Sequence, residues 1–304
     1  MVDCILIQCV AVHRRQVILC SLLSFYLLAG MTLILAKYRS TLAALSLSLL
    51  LPFSASATVV EIRTSLGTIE VNLFDNTTPK TVANFLTYVD SGAYANNVVH
   101  RSVSSFVVQG GGFQYTGPVS LSASNQFTLD AVETGQPVVN EPKLSNVRGT
   151  IAMAKTSNPN SATSQWFINL SNNANSLDVA TNAGGFTVFG QVIGNGMDVV
   201  DAIAALQVLG GANDFVFKEI PLKNYTAEDI NNEVDLTDDH FVVISDIVAT
   251  DRAADTAANL NPAANTLINS SNGGGDSGSG GGAIGWLLLL GLAMLQKNKL
   301  FKAK

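Results

Sequence analysis

Apolar and polar residues alternate along residues 58–74, TVVEIRTSLGTIEVNLF, and the alternation breaks at Ser65-Leu66-Gly67. A period of two on either side of a short turn predicts a β-hairpin. From Thr78-Pro79 the period lengthens. Val82, Phe85, Leu86 and Val89 recur at helical spacing, Pro79 suits a first helical turn, and Gly92 follows the end. Short strands are expected at Val98–Arg101, Phe106–Gln109, Gly149–Ala154, Gln165–Asn169 and Phe186–Val192. A second helix is expected over Met197–Leu206, with Val200, Ile203 and Ala204 on one face, and a last strand over Phe241–Val248. Many short strands set apart by Gly, Asn and Pro, with only two helices, favour a mainly β barrel over a parallel sheet. No internal repeat is visible.

Mean hydropathy is +0.30 and only 13% of the 304 residues are charged, values that suggest a membrane protein. The apolar excess, however, sits at the two ends. Residues 31–57 carry Lys37 and Arg39, then an apolar stretch from Leu42 to Phe53, then Ala55-Ser56-Ala57. That is the tripartite pattern of a secretory signal peptide cut after Ala57. Two readings of residues 1–30 stay open: a true start at Met31, or an uncleaved anchor over Val17–Ala36. Cys4, Cys9 and Cys20, all three cysteines, precede the expected cut. The exported domain would then have no disulfide and no thiol nucleophile, which fits a domain large enough to bury its own core.

Removing the ends also changes the charge. Residues 58–282 hold nine Lys or Arg against twenty-two Asp or Glu, a formal net of −13. So acidic a surface argues against a nucleic-acid partner. The division expected is 1–57 as extension and signal peptide, 58–251 as the folded domain, 252–282 as a flexible Ala/Asn/Ser/Gly linker, and 283–304 as an apolar segment with a basic tail.

Candidate chemistry concentrates in VVHRSVSSFVVQGGGF, residues 98–113. Alternate residues of a strand share a face. Two short strands can therefore set the cation of Arg101 and the amide of Gln109 beside an apolar wall that includes Phe106. His100 points to the other face from Arg101 and reads as structural. Gly110-Gly111-Gly112 reads as a tight backbone turn, because no Gly-Lys-Ser follows. Trp166 reads as packing. The acidic run Glu228–Asp239 lacks the EF-hand spacing and reads as a solvated loop.

Several further segments agree with one family in order: TSLGTIEVNLF, TPKTVANFLTYVDSGAY, NEPKLSNVRGTIAMAKT, NSATSQWFINL and FTVFGQVIGNGMDVVDAI. Together with HRSVSSFVVQGGGF, they make residues 58 to about 250 resemble a cyclophilin, and most closely the exported bacterial members. The resemblance implies a closed eight-stranded antiparallel β-barrel capped by two α-helices, and peptidyl-prolyl cis-trans isomerase activity. It places the catalytic arginine at Arg101. The proline pocket falls at Phe106, Val107, Phe167 and Leu177, with Phe186 at the rim. Peptide contacts fall at Gln109, Gln165 and Ala154. No metal, nucleotide or other cofactor is implied. Departures are Val107 where many members carry Met, and Ser176 where an aromatic often stands; the latter weighs against tight cyclosporin binding. Val179–Gly185 reads as a longer loop than usual, and Leu206–His240 as an enlarged one.

The partners expected are proline-containing polypeptides, with the chain a monomer. The tail GGGDSGSGGGAIGWLLLLGLAML resembles the GlyGly-CTERM sorting segment, which implies transient membrane contact and a sorting protease. A plain anchor and an inert tail remain the other readings. The rival function is a non-enzymatic module that holds proline-containing segments as a chaperone or surface adhesin; on either reading the domain is expected outside the cytoplasm, in the periplasm or at the cell surface.

Overall fold

The structure, a computed structural model, describes residues 58–121, 127–210, 216–252 and 260–270. The expected N-terminal extension and signal peptide (1–57 together) and the apolar tail segment (283–304) lie outside the described residues.

The hairpin appears as β1 (Val59–Thr64) and β2 (Gly67–Leu73), in register from Val59↔Asn72 to Thr64↔Gly67. Helix α1 (Pro79–Asp90) follows, with Pro79 in its first turn and Gly92 just beyond its end. The strand expected at Val98–Arg101 is split into β3 (Asn97–Val98) and β4 (Arg101–Val103). Next come β5 (Val107–Gly110), β6 (Phe113–Gln114) and β7 (Asp130–Ala131). β8 (Thr150–Met153), β9 (Trp166–Asn169) and a single helical turn, α2 (Ala174–Leu177), precede β10 (Val188–Val192) and α3 (Gly196–Ala204). Then β11 (Gln207–Val208), β12 (Pro221–Leu222) and α4 (Ala227–Asn231) lead to the last strand, β13 (Val243–Asp251).

The architecture is mainly β: a curled antiparallel sheet in the order β4-β5-β9-β8-β10-β2-β1-β13-β3-β6-β7. β3 and β4 are separated by only Val99 and His100, yet they pair with different strands. The Val99 N–H donates to Val242 O at 3.0 Å, and the His100 N–H to Gln109 O at 3.1 Å. One short run, residues 97–103, thus serves β13 with its first half and β5 with its second. That change of partner is why the single expected strand is broken.

The main core lies inside the curl. Val82, Phe85 and Val89 of α1, and Val200 and Ile203 of α3, pack into it with Ile62, Val71, Ile151 and Ile168. Phe85 is fully buried, with ring centroids 5.0 Å from Phe189 and 5.5 Å from Tyr94. Burial of such a side chain contributes about 2–3 kcal/mol.

Two stretches depart from expectation. The described residues of the enlarged loop, 206–240, join Val98, Phe113, Leu121, Phe127 and Leu129 in a second core, in which Phe217 stacks on Phe127 at 5.0 Å and meets Phe113 edge-on at 4.8 Å. The acidic run is therefore not simply a solvated loop. α4 opens with a capping box between Thr226 and Asp229, and Leu236 is fully buried. Residues 260–270, inside the stretch expected as linker, lie on the domain. Ala264 pairs with Leu144, the Ser145 N–H donates to Ala263 O at 2.8 Å, and Asn265 Nδ2 donates to Asp178 O at 3.0 Å. Composition predicted flexibility here, but Asn265 also folds a local turn by accepting from the N–H groups of Leu267 and Ile268. Leu260 supplies an apolar anchor.

Candidate active site

Register builds the site. Arg101 of β4 lies opposite Gln109 of β5, Gln109 opposite Phe167 of β9, and Phe167 opposite Ala152 of β8. Residues directly opposite in adjacent strands point to the same face. Arg101, Gln109 and Phe167 thus form a row, and Val107, two residues from Gln109, shares that face.

Apolar walls complete it. Val107, Ala154, Phe167, Leu177 and Phe186 belong to one cluster, with Phe106 packed against it. The rings of Phe167 and Phe186 meet edge-on with centroids 6.0 Å apart. Phe186 arrives from a distant loop. Gly184 and Gly185 both have positive φ (76° and 72°), a conformation costly for other residues. They turn the chain so that the Phe186 N–H donates to Leu177 O at 2.8 Å. Val107, Phe167, Leu177 and Phe186 all have no exposed surface.

Polar groups line one side. Gln109 Nε2 donates to Gln165 Oε1 at 2.9 Å. The Ala154 N–H donates to Gln165 O at 2.9 Å. The structure therefore brings together all nine residues singled out from the sequence. The glycine run is a close-approach site rather than only a turn. Gly111 has φ +81°, and a Cβ there would lie 2.5 Å from Ser164 O and 2.8 Å from the Trp166 ring. Trp166 is buried there as packing.

Two residues of the site carried no sequence signal. Glu219, in the enlarged loop, pairs with Arg101: Oε2 accepts from Nε at 2.6 Å. The two terminal nitrogens of Arg101 are buried and have no hydrogen-bond partner among the described residues. Lys155 lies beside Ala154 with Nζ 4.2 Å from the Phe186 ring centroid, donating to Ala183 O at 2.6 Å. Burial lowers its pKa to about 8. Glu219 is 118 residues from Arg101 in the chain, so no local pattern could announce it. Lys155 could have been suspected only from its place next to Ala154.

Residues 59–227 match the family described as cyclophilin type peptidyl-prolyl cis-trans isomerase/CLD. The chain is 44% identical over 149 residues to a peptidyl-prolyl cis-trans isomerase of Acinetobacter baylyi, an alignment covering 48% of this chain and 72% of that one. It is 41% identical over 154 residues to peptidyl-prolyl cis-trans isomerase A of Dickeya dadantii, covering 51% and 75%. A solved cyclophilin-type isomerase of Cryptosporidium parvum, crystallised in the presence of the dipeptide Ala-Pro, aligns at 23% identity with a TM-score of 0.43, covering 64% of this chain and 99% of that one. With a match that takes in the candidate site and every strand of the sheet except β13, the chain belongs to the cyclophilin-type peptidyl-prolyl cis-trans isomerase family.

Proposed function

We propose that this isomerase acts on X–Pro bonds of extracytoplasmic proteins and assists their folding, with Arg101 as its catalytic residue. Rotation about an X–Pro bond is slow because amide resonance must be broken, with a barrier of about 20 kcal/mol. In the twisted amide the prolyl nitrogen becomes pyramidal and gains a lone pair. A guanidinium N–H donating to that nitrogen stabilises the twisted state and finds little to accept it in the planar one. Arginine suits the role because it stays charged and its donors are preorganised. The cluster around Phe167 would take the proline ring, and Gln109, Gln165 and Ala154 would hold the flanking peptide. The reaction needs no covalent intermediate.

One observation carries the reading: Arg101 shares a face with Gln109 and Phe167 beside an apolar cluster, and among the described residues both its terminal nitrogens are without a hydrogen-bond partner. A donor of this kind in a dry site is worth about 3 kcal/mol, or roughly a hundredfold. Full-length protein should isomerise a proline tetrapeptide in a protease-coupled assay, and Arg101→Ala should lose about two orders of magnitude in kcat/KM. Wild-type turnover no faster than that of Arg101→Ala would defeat the mechanism. Peptide binding that persists without turnover in either protein would favour the rival holding role.

The same reading closes the barrel. The run 97–103, with β5, β9, β8, β10, β2, β1 and β13, makes eight strands, and that run joins the two ends of the series. α1 and α3 are its two caps. The protein works outside the cytoplasm as a monomer, in the periplasm or at the cell surface. The tripartite pattern of residues 31–57 supports export. The glycine-rich, apolar and basic tail supports passage through a membrane and cleavage by a sorting protease. Intact mass measurement on protein from its own cells tests both cuts: the expected mature species begins at Thr58 and ends within residues 273–282.

A further inference from the structure

We infer that Glu219 is the positioning residue of Arg101, supplied by the inserted segment 206–240. The inference rests on the isomerase reading, and it adds a role for a segment otherwise set apart from the site.

The geometry of the pair is selective. A carboxylate facing a guanidinium commonly engages two N–H groups at once. Here Glu219 takes only Nε, at 2.6 Å. Both terminal nitrogens stay buried and unpartnered among the described residues. Leaving charged donors unsatisfied in a buried place is costly. A fold tolerates that cost where a ligand will supply the missing acceptors. The twisted prolyl nitrogen is such an acceptor.

Glu219 is itself held firmly. Its carbonyl accepts from the Ser102 N–H at 2.7 Å, so its main chain is tied to β4 one residue from Arg101. Phe217 and Ile220, on either side of it, are buried in the second core. The main chain that carries the carboxylate is thus anchored, and the bond to Nε sets the plane and direction of the guanidinium. The side chain of Arg101 is 3% exposed and that of Glu219 28%. The arginine is thus enclosed, while its counter-ion keeps part of its hydration and escapes part of the desolvation cost. Arg101 without Glu219 would be a buried cation free to rotate among several orientations, only some of which aim a donor at the substrate.

The test is a double-mutant cycle on the full chain, with isomerisation measured by NMR exchange on a proline peptide and the Nε–H resonance of Arg101 read separately. Glu219→Ala should lower kcat about tenfold with KM within twofold, and should shift or broaden the Arg101 Nε–H signal. Glu219→Gln keeps the shape and an acceptor oxygen, so it should retain the melting temperature and recover most of kcat. In an Arg101→Ala background, Glu219→Ala should change kcat no further. Equal losses in the two backgrounds would mean a general structural role and overturn the inference. So would an unchanged kcat in Glu219→Ala beside an active wild type, or an unmoved Nε–H signal. If the wild type itself fails to isomerise, the activity reading falls, and the resonance alone decides whether Glu219 holds Arg101.

Discussion

Arg101 and His100 are neighbours in the chain with opposite surroundings, because successive residues of a strand face opposite ways. Arg101 turns to Gln109 and the apolar cluster. His100 is fully buried on the other side, its ring edge-on to Phe113 at 5.0 Å. Burial, with the charge of Arg101 adding to it, lowers the His100 pKa to about 3. An exposed histidine in the unfolded chain titrates near about 6.5. Between those values the unfolded chain binds a proton that the folded one does not, so stability falls as pH falls from 6.5 towards 3. At about 1.4 kcal/mol per unit the loss is on the order of a few kcal/mol. Thermal unfolding of the wild type should therefore weaken steeply between pH 6.5 and 4. His100→Gln should flatten that dependence, and an unchanged slope would place the acid sensitivity elsewhere. The face of each residue was legible from alternation alone. The burial that moves the histidine's pKa was not, since Phe113 arrives only with the fold.

At the level of elements, the pocket depends on how α2 and the loop after it are fastened. Asp178, just beyond α2, accepts from Ser145 Oγ at 2.6 Å and from the Asn146 N–H at 2.9 Å, and all three residues are buried. This links the 141–147 segment to the chain that carries Leu177 and Phe186. Removing the carboxylate leaves those donors without a partner. Asp178→Ala should cost about 3 kcal/mol, a drop of roughly 10 °C in melting temperature, measurable by calorimetry. A change of only a degree or two would show that water replaces the carboxylate freely. Helices α1 and α3 and the β1–β2 hairpin follow directly from apolar spacing and a turn signal. The break between β3 and β4 does not, because it depends on which strands come to lie on either side. Nor does α4, whose Ile230 packs against a core gathered from well-separated stretches of the chain.

For the molecule as a whole, residues 260–270 form a strap that returns to the domain after β13. Leu260 packs against the cluster that includes Phe167 and Phe186, and Ile268 Cδ1 lies 3.0 Å from where a Cβ on Gly185 would be. The strap thus braces the loop that brings Phe186 to the pocket. Truncation after residue 259 should lower stability by about 1–2 kcal/mol, from the apolar area of the cluster around Leu144 that Leu260 no longer covers. Truncation after residue 270 should leave thermal unfolding unchanged, and equal curves for the two truncations would show that the strap contributes nothing. Composition pointed the other way here, since Ala, Asn and Ser predict a linker when no partner surface is in view.

Periodicity, turn residues and ordered motifs were enough to give this chain the β1–β2 hairpin, β5, β8, β9, β10 and β13, its two main helices and its family. Those features are local: each depends on spacing within a dozen residues or on a short motif read in order. The counter-ion of Arg101, the cation over Phe186, the second core and the strap were decided by tertiary structure. Each joins segments 28 to more than 100 residues apart, and a contact of that span is fixed by the path of the backbone, which no local pattern records.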